Sequence, residues 1–374
     1  MNIAIARSKP RWYAARVPLV ASLFIIDCTA AFAAGPYAYL PSNDQATVSV
    51  VDVSNTAATP TTITVTGTEN TTGFYGVALA AKGDKLYFSD QVNETVFQID
   101  TATGTTTHSY FVGSNPRGIA VDPSGTHVVV ADFAGAGVSI INTTTQAITD
   151  VDFGSLTSTA NPSPNGVALN LTGTRAYVTD ASVGHRLCRI NLISPPASVA
   201  DGDCVVVGAA DDDGANPNAL VVSPDDTRVY VVNHSEATVS VVDTGTLTVT
   251  RTFPLGFGSP NGIAISASGK RAYVGTGLGK ILVLDLTRVP NTALDPVIDV
   301  IDDDAVFAVN GVSISPDGTR LLVADTGNDQ LHFFDIVADA DTRVASVNVN
   351  SSPVAIGQFV WPDAIFVNGF EKTN

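Results

Sequence analysis

The chain has 374 residues, 45% hydrophobic and only 15% charged, a balance that excludes a disordered polymer. Acidic residues outnumber basic ones 36 to 19, for a net charge of −17. A surface of that sign repels nucleic acid and anionic lipid, so neither is expected as a partner.

In chain order, residues 1–33 come first and read as a secretory signal peptide. Arg7, Lys9, Arg11 and Arg16 precede a short apolar run over 17–26, and Ala31-Phe32-Ala33 forms an A-x-A cleavage site. The run is too short to span a bilayer. Cys28 lacks the preceding small residues of a lipoprotein site, so no lipid anchor is expected. The chain is therefore expected to be exported, to the periplasm or beyond, with no membrane span. From residue 34 it would carry 15 basic against 35 acidic residues, a net −20.

A repeat fills residues 34–360. It reads "FYGVALAAKGDKLYFSD" from 74, "NPRGIAVDPSGTHVVVAD" from 115 and "SPNGVALNLTGTRAYVTD" from 163. "NPNALVVSPDDTRVYVVN" from 216, "SPNGIAISASGKRAYVGT" from 259 and "VNGVSISPDGTRLLVAD" from 309 continue it. Each copy has an apolar strand A, a turn usually centred on Gly, and a strand B ending in Asp, Asn or Thr. A strand C such as "TVSVVD" and a variable strand D follow. β-Branched content and the lack of any sustained 3.6-residue period leave no room for long helices. Gly76, Gly118, Gly166, Ala219, Gly262, Gly311 and Ala355 align at a mean interval of about 46.5 residues, the period of a four-stranded propeller blade.

The ends define the closure. The seventh strand A, near 353–359, has no partners after it, while "YAYL", "TVSVVD" and "TTITV" from 37, 47 and 61 have no strand A. One blade is thus expected to combine three N-terminal strands with one C-terminal strand. The expectation is an all-β, seven-bladed β-propeller of four antiparallel strands per blade, followed by a tail over 361–374. "RVYVVN", "TVSVVD" and "SPDGTR" resemble the YVTN-repeat family of exported seven-bladed propellers over the whole repeat region. That resemblance implies the fold and little about activity, because propellers host binding, scaffolding and catalysis alike. The tail, with Asn368-Gly369-Phe370-Glu371, is similar to short tails on some exported gammaproteobacterial proteins.

Strand order puts the Pro-Asn-Gly crossovers on one face, the top, around the central channel. The rim reads Tyr75, Arg117, Asn165, Asn218, Asn261, Asn310 and Val354. Asn suits such turns for conformational reasons alone. The alternative is a ring of amides, completed by Arg117, that holds a polar or anionic ligand. Arg117, Asn165, Asn218, Asn261 and Asn310, with His234 beside them, are the candidate ligand-binding residues. Asp90, Asp132, Asp180, Asn233, Thr276 and Asp325 end the B strands and are expected to cap turns. His185 and His234 lie in adjacent top loops, but two histidines without a third ligand do not define a transition-metal site. His108, His127 and His332 read as structural. Asp211, Asp212 and Asp213, and Asp302, Asp303 and Asp304, form acidic top loops; Ca²⁺ is the cofactor they would suit, though neither has the spacing of a calcium loop. No metal ligand set and no catalytic residue is assigned.

No Gly-x-Ser-x-Gly, Cys-x-x-Cys-His or His-Glu-x-x-His motif occurs. The chain has four Glu, of which Glu69 and Glu236 could reach the top. The reading from sequence is a non-enzymatic, monomeric propeller that binds a small polar ligand or protein partner. The alternatives are a lactonase-like hydrolase using top-face Asp, His and Glu with Ca²⁺, and a cell-surface structural protein. Cys188 in a strand C and Cys204 in the following strand D are expected to form a disulfide.

Overall fold

The computed structural model describes residues 36–67, 73–153, 161–192, 203–208, 214–337, 341–354 and 356–357. The expected signal peptide and tail, the Asp211, Asp212 and Asp213 loop, and Glu69 lie outside them. Each A–B–C–D unit forms one antiparallel sheet, and there are seven sheets. Blade I holds β1 (Tyr37–Pro41), β2 (Thr47–Asp52) and β3 (Thr61–Thr64). Blade II holds β4 (Phe74–Leu79), β5 (Lys85–Asp90), β6 (Thr95–Asp100) and β7 (Thr105–Phe111). Blade III holds β8 (Pro116–Val121), β9 (His127–Asp132), β10 (Gly137–Asn142) and β11 (Ile148–Asp152). Blade IV holds β12 (Pro164–Leu169), β13 (Arg175–Asp180), β14 (Arg186–Asn191) and β15 (Cys204–Val206). Blade V holds β16 (Pro217–Val222), β17 (Arg228–Asn233), β18 (Thr238–Asp243) and β19 (Thr248–Pro254). Blade VI holds β20 (Pro260–Ile265), β21 (Arg271–Thr276), β22 (Lys280–Asp285) and β23 (Val297–Asp302). Blade VII holds β24 (Val309–Ile314), β25 (Arg320–Asp325), β26 (Gln330–Asp335) and β27 (Thr342–Asn348).

Burial explains the strand sequences. The B and C strands are covered on both faces and read as nearly continuous apolar runs, whereas outer strands such as β7 expose every other residue. The third residue of strand B is Tyr in five blades, and Tyr39, Tyr87, Tyr177, Tyr230 and Tyr273 are all buried between sheets. The core therefore lies between blades rather than within them. One cluster joins Tyr39, Val48 and Val50 of blade I to Phe74, Phe88 and Phe97 of blade II and to Leu322 and Phe333 of blade VII. Blade I is thus packed on both sides, and the ring is closed.

The backbone closes it as well. Asn43 N–H donates to Ser352 O (3.0 Å) and Val354 N–H to Pro41 O (2.9 Å), so the C-terminal segment takes the inner place beside β1. It runs on as β28 (Ile356–Gly357), parallel to β4 of the next blade. That arrangement leaves no open sheet edge between the first and last blades. Among the described residues no helix is long and apolar enough to cross a membrane.

Cys188 and Cys204 form a disulfide across β14 and β15, and Cys188 is fully buried. Arg189 N–H donates to Asp203 O (2.7 Å), which makes the two cysteines a non-hydrogen-bonded pair, the closer kind. Their Cα atoms are 4.0 Å apart, nearer than the roughly 4.5–5.5 Å of ordinary opposed residues. The bridge staples the longest C–D connection in the ring. Its reduction should lower unfolding free energy by about 2–3 kcal/mol, because a 15-residue loop is released in the unfolded chain. Urea unfolding with and without reductant measures this; superimposable curves would show that the staple contributes nothing.

Candidate functional site

Every strand A starts on top and runs down the channel, and its second or third residue is where neighbouring blades come nearest. A Cβ at Gly76 would sit 2.3 Å from Arg117 O, one at Gly118 2.3 Å from Asn165 O, and one at Gly166 2.1 Å from Asn218 O. Gly is therefore required by contact with the next blade's backbone. Two hydroxyls fasten the same contacts. Ser89 Oγ accepts from Gly76 N–H (2.9 Å) and donates to Arg117 O (2.6 Å). Thr179 Oγ1 accepts from Gly166 N–H (2.7 Å) and donates to Asn218 O (3.0 Å). The rim residues are held side by side by this backbone packing.

The amide ring is only partly free. Asn165 Nδ2 donates to Asn218 Oδ1 (3.0 Å), and Asn261 Nδ2 donates to Val309 O (3.0 Å). One N–H of each of these two amides is thus used within the rim. Asn165 Oδ1 and Asn310 Oδ1 are buried without a partner. Arg117 is the one cation among them. Its guanidinium carbon lies 3.3 Å from the Phe133 ring centre and 5.3 Å from that of Tyr75, and its Nε is buried without a partner. Burial holds its pKa below the usual guanidinium value, with only the Tyr75 hydroxyl opposing. Among the described residues no carboxylate pairs with it.

His234, a candidate ligand-binding residue, engages its Nδ1 with Pro260 O (3.1 Å), bracing the crossover into blade VI. His185 Nδ1 is buried without a partner, and no group of three His, Cys, Asp or Glu among the described residues is placed to hold a metal ion. The loop of Asp302, Asp303 and Asp304 is largely engaged: Asp302 pairs with Lys280, and Asp303 accepts from Arg343 Nε (2.7 Å). A Ca²⁺ site needs about six to eight converging oxygens, carboxylates among them. The rim oxygens are neutral amides, and no cluster of three acidic or other ligating side chains that could hold a metal ion stands among the described residues. The donor set does not fit a Ca²⁺ centre.

The Asp ends of the B strands in blades II, IV and VII cap their turns as expected. Asp90 accepts from Gly73, Val92 and Asn93 N–H, and Asp180 from Ser163 and Ser182 N–H. Burial pushes the Asp325 carboxyl up, but the His332 ring and the N–H groups of Phe307, Ala308 and Gly327 hold it below the usual range. In blades III and V the turns differ. In blade V the Ser235 N–H goes to Ala215 O and Asn233 Oδ1 has no partner, and blade III follows the same route. Phe133 N–H goes to Asn115 O, as Gln91 N–H goes to Gly73 O and Ala181 N–H to Ser163 O. The N–H groups of Ala134 and Gly135, however, go to Ser114 O, so Asp132 loses its turn donors. Burial pushes the Asp132 carboxyl up to about 7, the Asp150 charge adds to this, and the Ser139 hydroxyl opposes it.

Gln91 Nε2, Asn115 Oδ1, Asp180 Oδ2 and Asn233 Oδ1 join the groups above as buried polar atoms without partners, all on the top face. Such atoms cost stability and mark where a ligand or water completes the bonding. Below the rim, the channel opens into a 410 Å³ cavity lined by residues such as Ile119, Val167, Val221 and Ile263.

No curated protein matches the chain. A Bacteroides uniformis structure, provisionally named a 6-phosphogluconolactonase, shares the fold at 15% identity and a TM-score of 0.68, over 85% of this chain and 98% of its own. A similarly named Bacteroides fragilis protein matches at 16% and 0.64, over 86% and 97%. Kuenenia stuttgartiensis hydrazine synthase also matches at 16% and 0.64, over 80% and 93%. At these identities the likeness establishes the propeller alone. The sequence model of the SMP-30/gluconolactonase/LRE-like region matches residues 76–288, more than half of the 374, and the chain belongs to that family.

Proposed function

We propose that the protein is an exported, lactonase-like propeller of the YVTN-repeat kind that takes a polyhydroxylated lactone or its sugar acid at the top rim. The family match and the names of its structural neighbours favour this over the non-enzymatic binding module read from sequence alone. The observation that carries it is Arg117, a half-buried cation without a carboxylate partner among the described residues, on the rim that also carries the unpaired amide oxygens of Asn165 and Asn310. Arg117 offers a donor to a carbonyl or carboxylate oxygen, while Asn165 Oδ1 and Asn310 Oδ1 accept from ligand hydroxyls. In lactone hydrolysis water adds to the carbonyl carbon and the ring C–O bond breaks, releasing the hydroxy acid. The carbonyl oxygen gains charge in the transition state, and a fixed guanidinium there lowers the barrier.

Proton release from δ-gluconolactone tests this. Wild type should show saturable hydrolysis above the uncatalysed rate. Arg117→Ala should lower kcat/KM by about 10²-fold, the scale of losing one oxyanion donor, with an unchanged circular-dichroism spectrum. Gluconate binding that depends on Arg117, without turnover, would return the protein to the binding-module reading. Neither turnover nor binding would reject the rim as the site.

A further inference from the structure

Blade III departs from the repeat on its outer flank too. A cleft of about 440 Å³ lies between blades II and III, bounded by Phe111, Gly113, Asp132, Gly135 and Asp150. Asp132 is 3% exposed yet lines the cleft, and its Oδ1 has no partner. Its Oδ2 accepts from Ser139 Oγ (2.7 Å), which also lies 3.2 Å from Asp150 Oδ1 and accepts from Gly113 N–H (3.3 Å). Gly113 keeps the approach open, since a Cβ there would fall 2.5 Å from Asp132 Cγ. Phe111 is 73% exposed at the mouth. Asp152 adds a third carboxyl to the lining, and the described lining residues include no Lys, Arg or His.

We propose that this cleft binds a primary ammonium group, which donates N–H to Asp132 Oδ1 while its alkyl stem lies against Phe111. Charge excludes an anion. A metal ion would need several converging oxygens, and no such group exists among the described residues. A guanidinium wants two parallel acceptors, whereas Asp132 offers one free oxygen. A compact ammonium matches one buried oxygen with further carboxylates at the entrance. Both a free alkylamine and a lysine side chain carry this chemistry.

The test uses the purified protein labelled with ¹⁵N-glycine, following the amide signals of Gly113, Gly135 and Gly137. n-Butylammonium and Nα-acetyl-lysine methylamide are titrated against n-butanol, the neutral control. Saturable shifts with both cations and none with butanol support a general ammonium site. Shifts with the lysine derivative alone support a protein side chain as occupant. Asp132→Asn should weaken binding at least tenfold. Phe111→Ala, at a surface position that folding tolerates, should weaken it several-fold and covers the case in which the first variant does not fold. No saturable shift with either cation, an equal response to butanol, or wild-type affinity in both variants would overturn the proposal.

Discussion

Asp132→Asn is expected to stabilise the protein at pH 8 and to have little effect near pH 4. The Asp132 carboxyl titrates at about 7 in the fold, against 3.8 for an ordinary aspartate. Between those values the folded state holds a proton that the unfolded state has released. Stability therefore falls as pH rises through this window, and the penalty is complete above it. At roughly 1.4 kcal/mol per pH unit the full window amounts to about 4 kcal/mol. Asn keeps the shape and cannot ionise, so it avoids the penalty. Asp150 and Asp152 are the charged groups facing Asp132 in the cleft, and Ser139 is its donor. General repulsion in so acidic a chain acts on wild type and variant alike, and the difference between them isolates Asp132. Urea unfolding of both at pH 5.5 and 8 should show the gap widening by about 2 kcal/mol toward pH 8. A gap that is constant, or that narrows, contradicts the argument.

Gly166→Ala is the second large effect. Its Cβ would lie 2.1 Å from Asn218 O and 2.9 Å from Leu220 Cδ2, so blades IV and V must part at the channel. Overpacking against a backbone that cannot turn away costs about 3 kcal/mol or more. The same movement pulls Asn165 from Asn218 and should weaken ligand binding at the rim. Blade V carries Ala219 at the equivalent position, 7% exposed, which shows that the spacing there admits a methyl group. Ala219→Gly should accordingly cost only about 1 kcal/mol, the backbone-entropy term. Melting curves of the two variants decide it; equal losses would mean that the inner-strand contact is not the cause.

The architecture was legible because its signals are local and repeated. Glycine turns, apolar B and C strands and the missing strands at each end are all read from neighbouring residues. The disulfide was legible for the same reason, since Cys188 and Cys204 sit on consecutive strands. The rim was half legible. The repeat aligned Asn165 and Asn218 at equivalent crossovers, but the bond between them spans 53 residues of sequence, and it decides which amide atom is engaged. The contact of His234 was not legible, because the carbonyl that engages its Nδ1 belongs to the next blade. Asp132 looked like Asp90, Asp180 and Asp325. What separates it is the route of two backbone N–H groups, those of Ala134 and Gly135, and the only trace in sequence is the glycine-rich "FAGAG" that follows it.

The seam of blade I bears on the order in which the chain can fold. Ser42 Oγ donates to Ser351 O, a contact across 309 residues, and the cluster around Tyr39 needs Leu322 and Phe333 on its other side. Blades II to VI can assemble from contiguous sequence as it becomes available. Blade I cannot: until the segment around 352–354 arrives, β1 is an unpaired edge capable of joining another chain. Closure over so long a separation is entropically slow. A nascent or C-terminally truncated chain would hence persist as an open arc with one sticky end, and aggregation should track that interval rather than the stability of the finished ring.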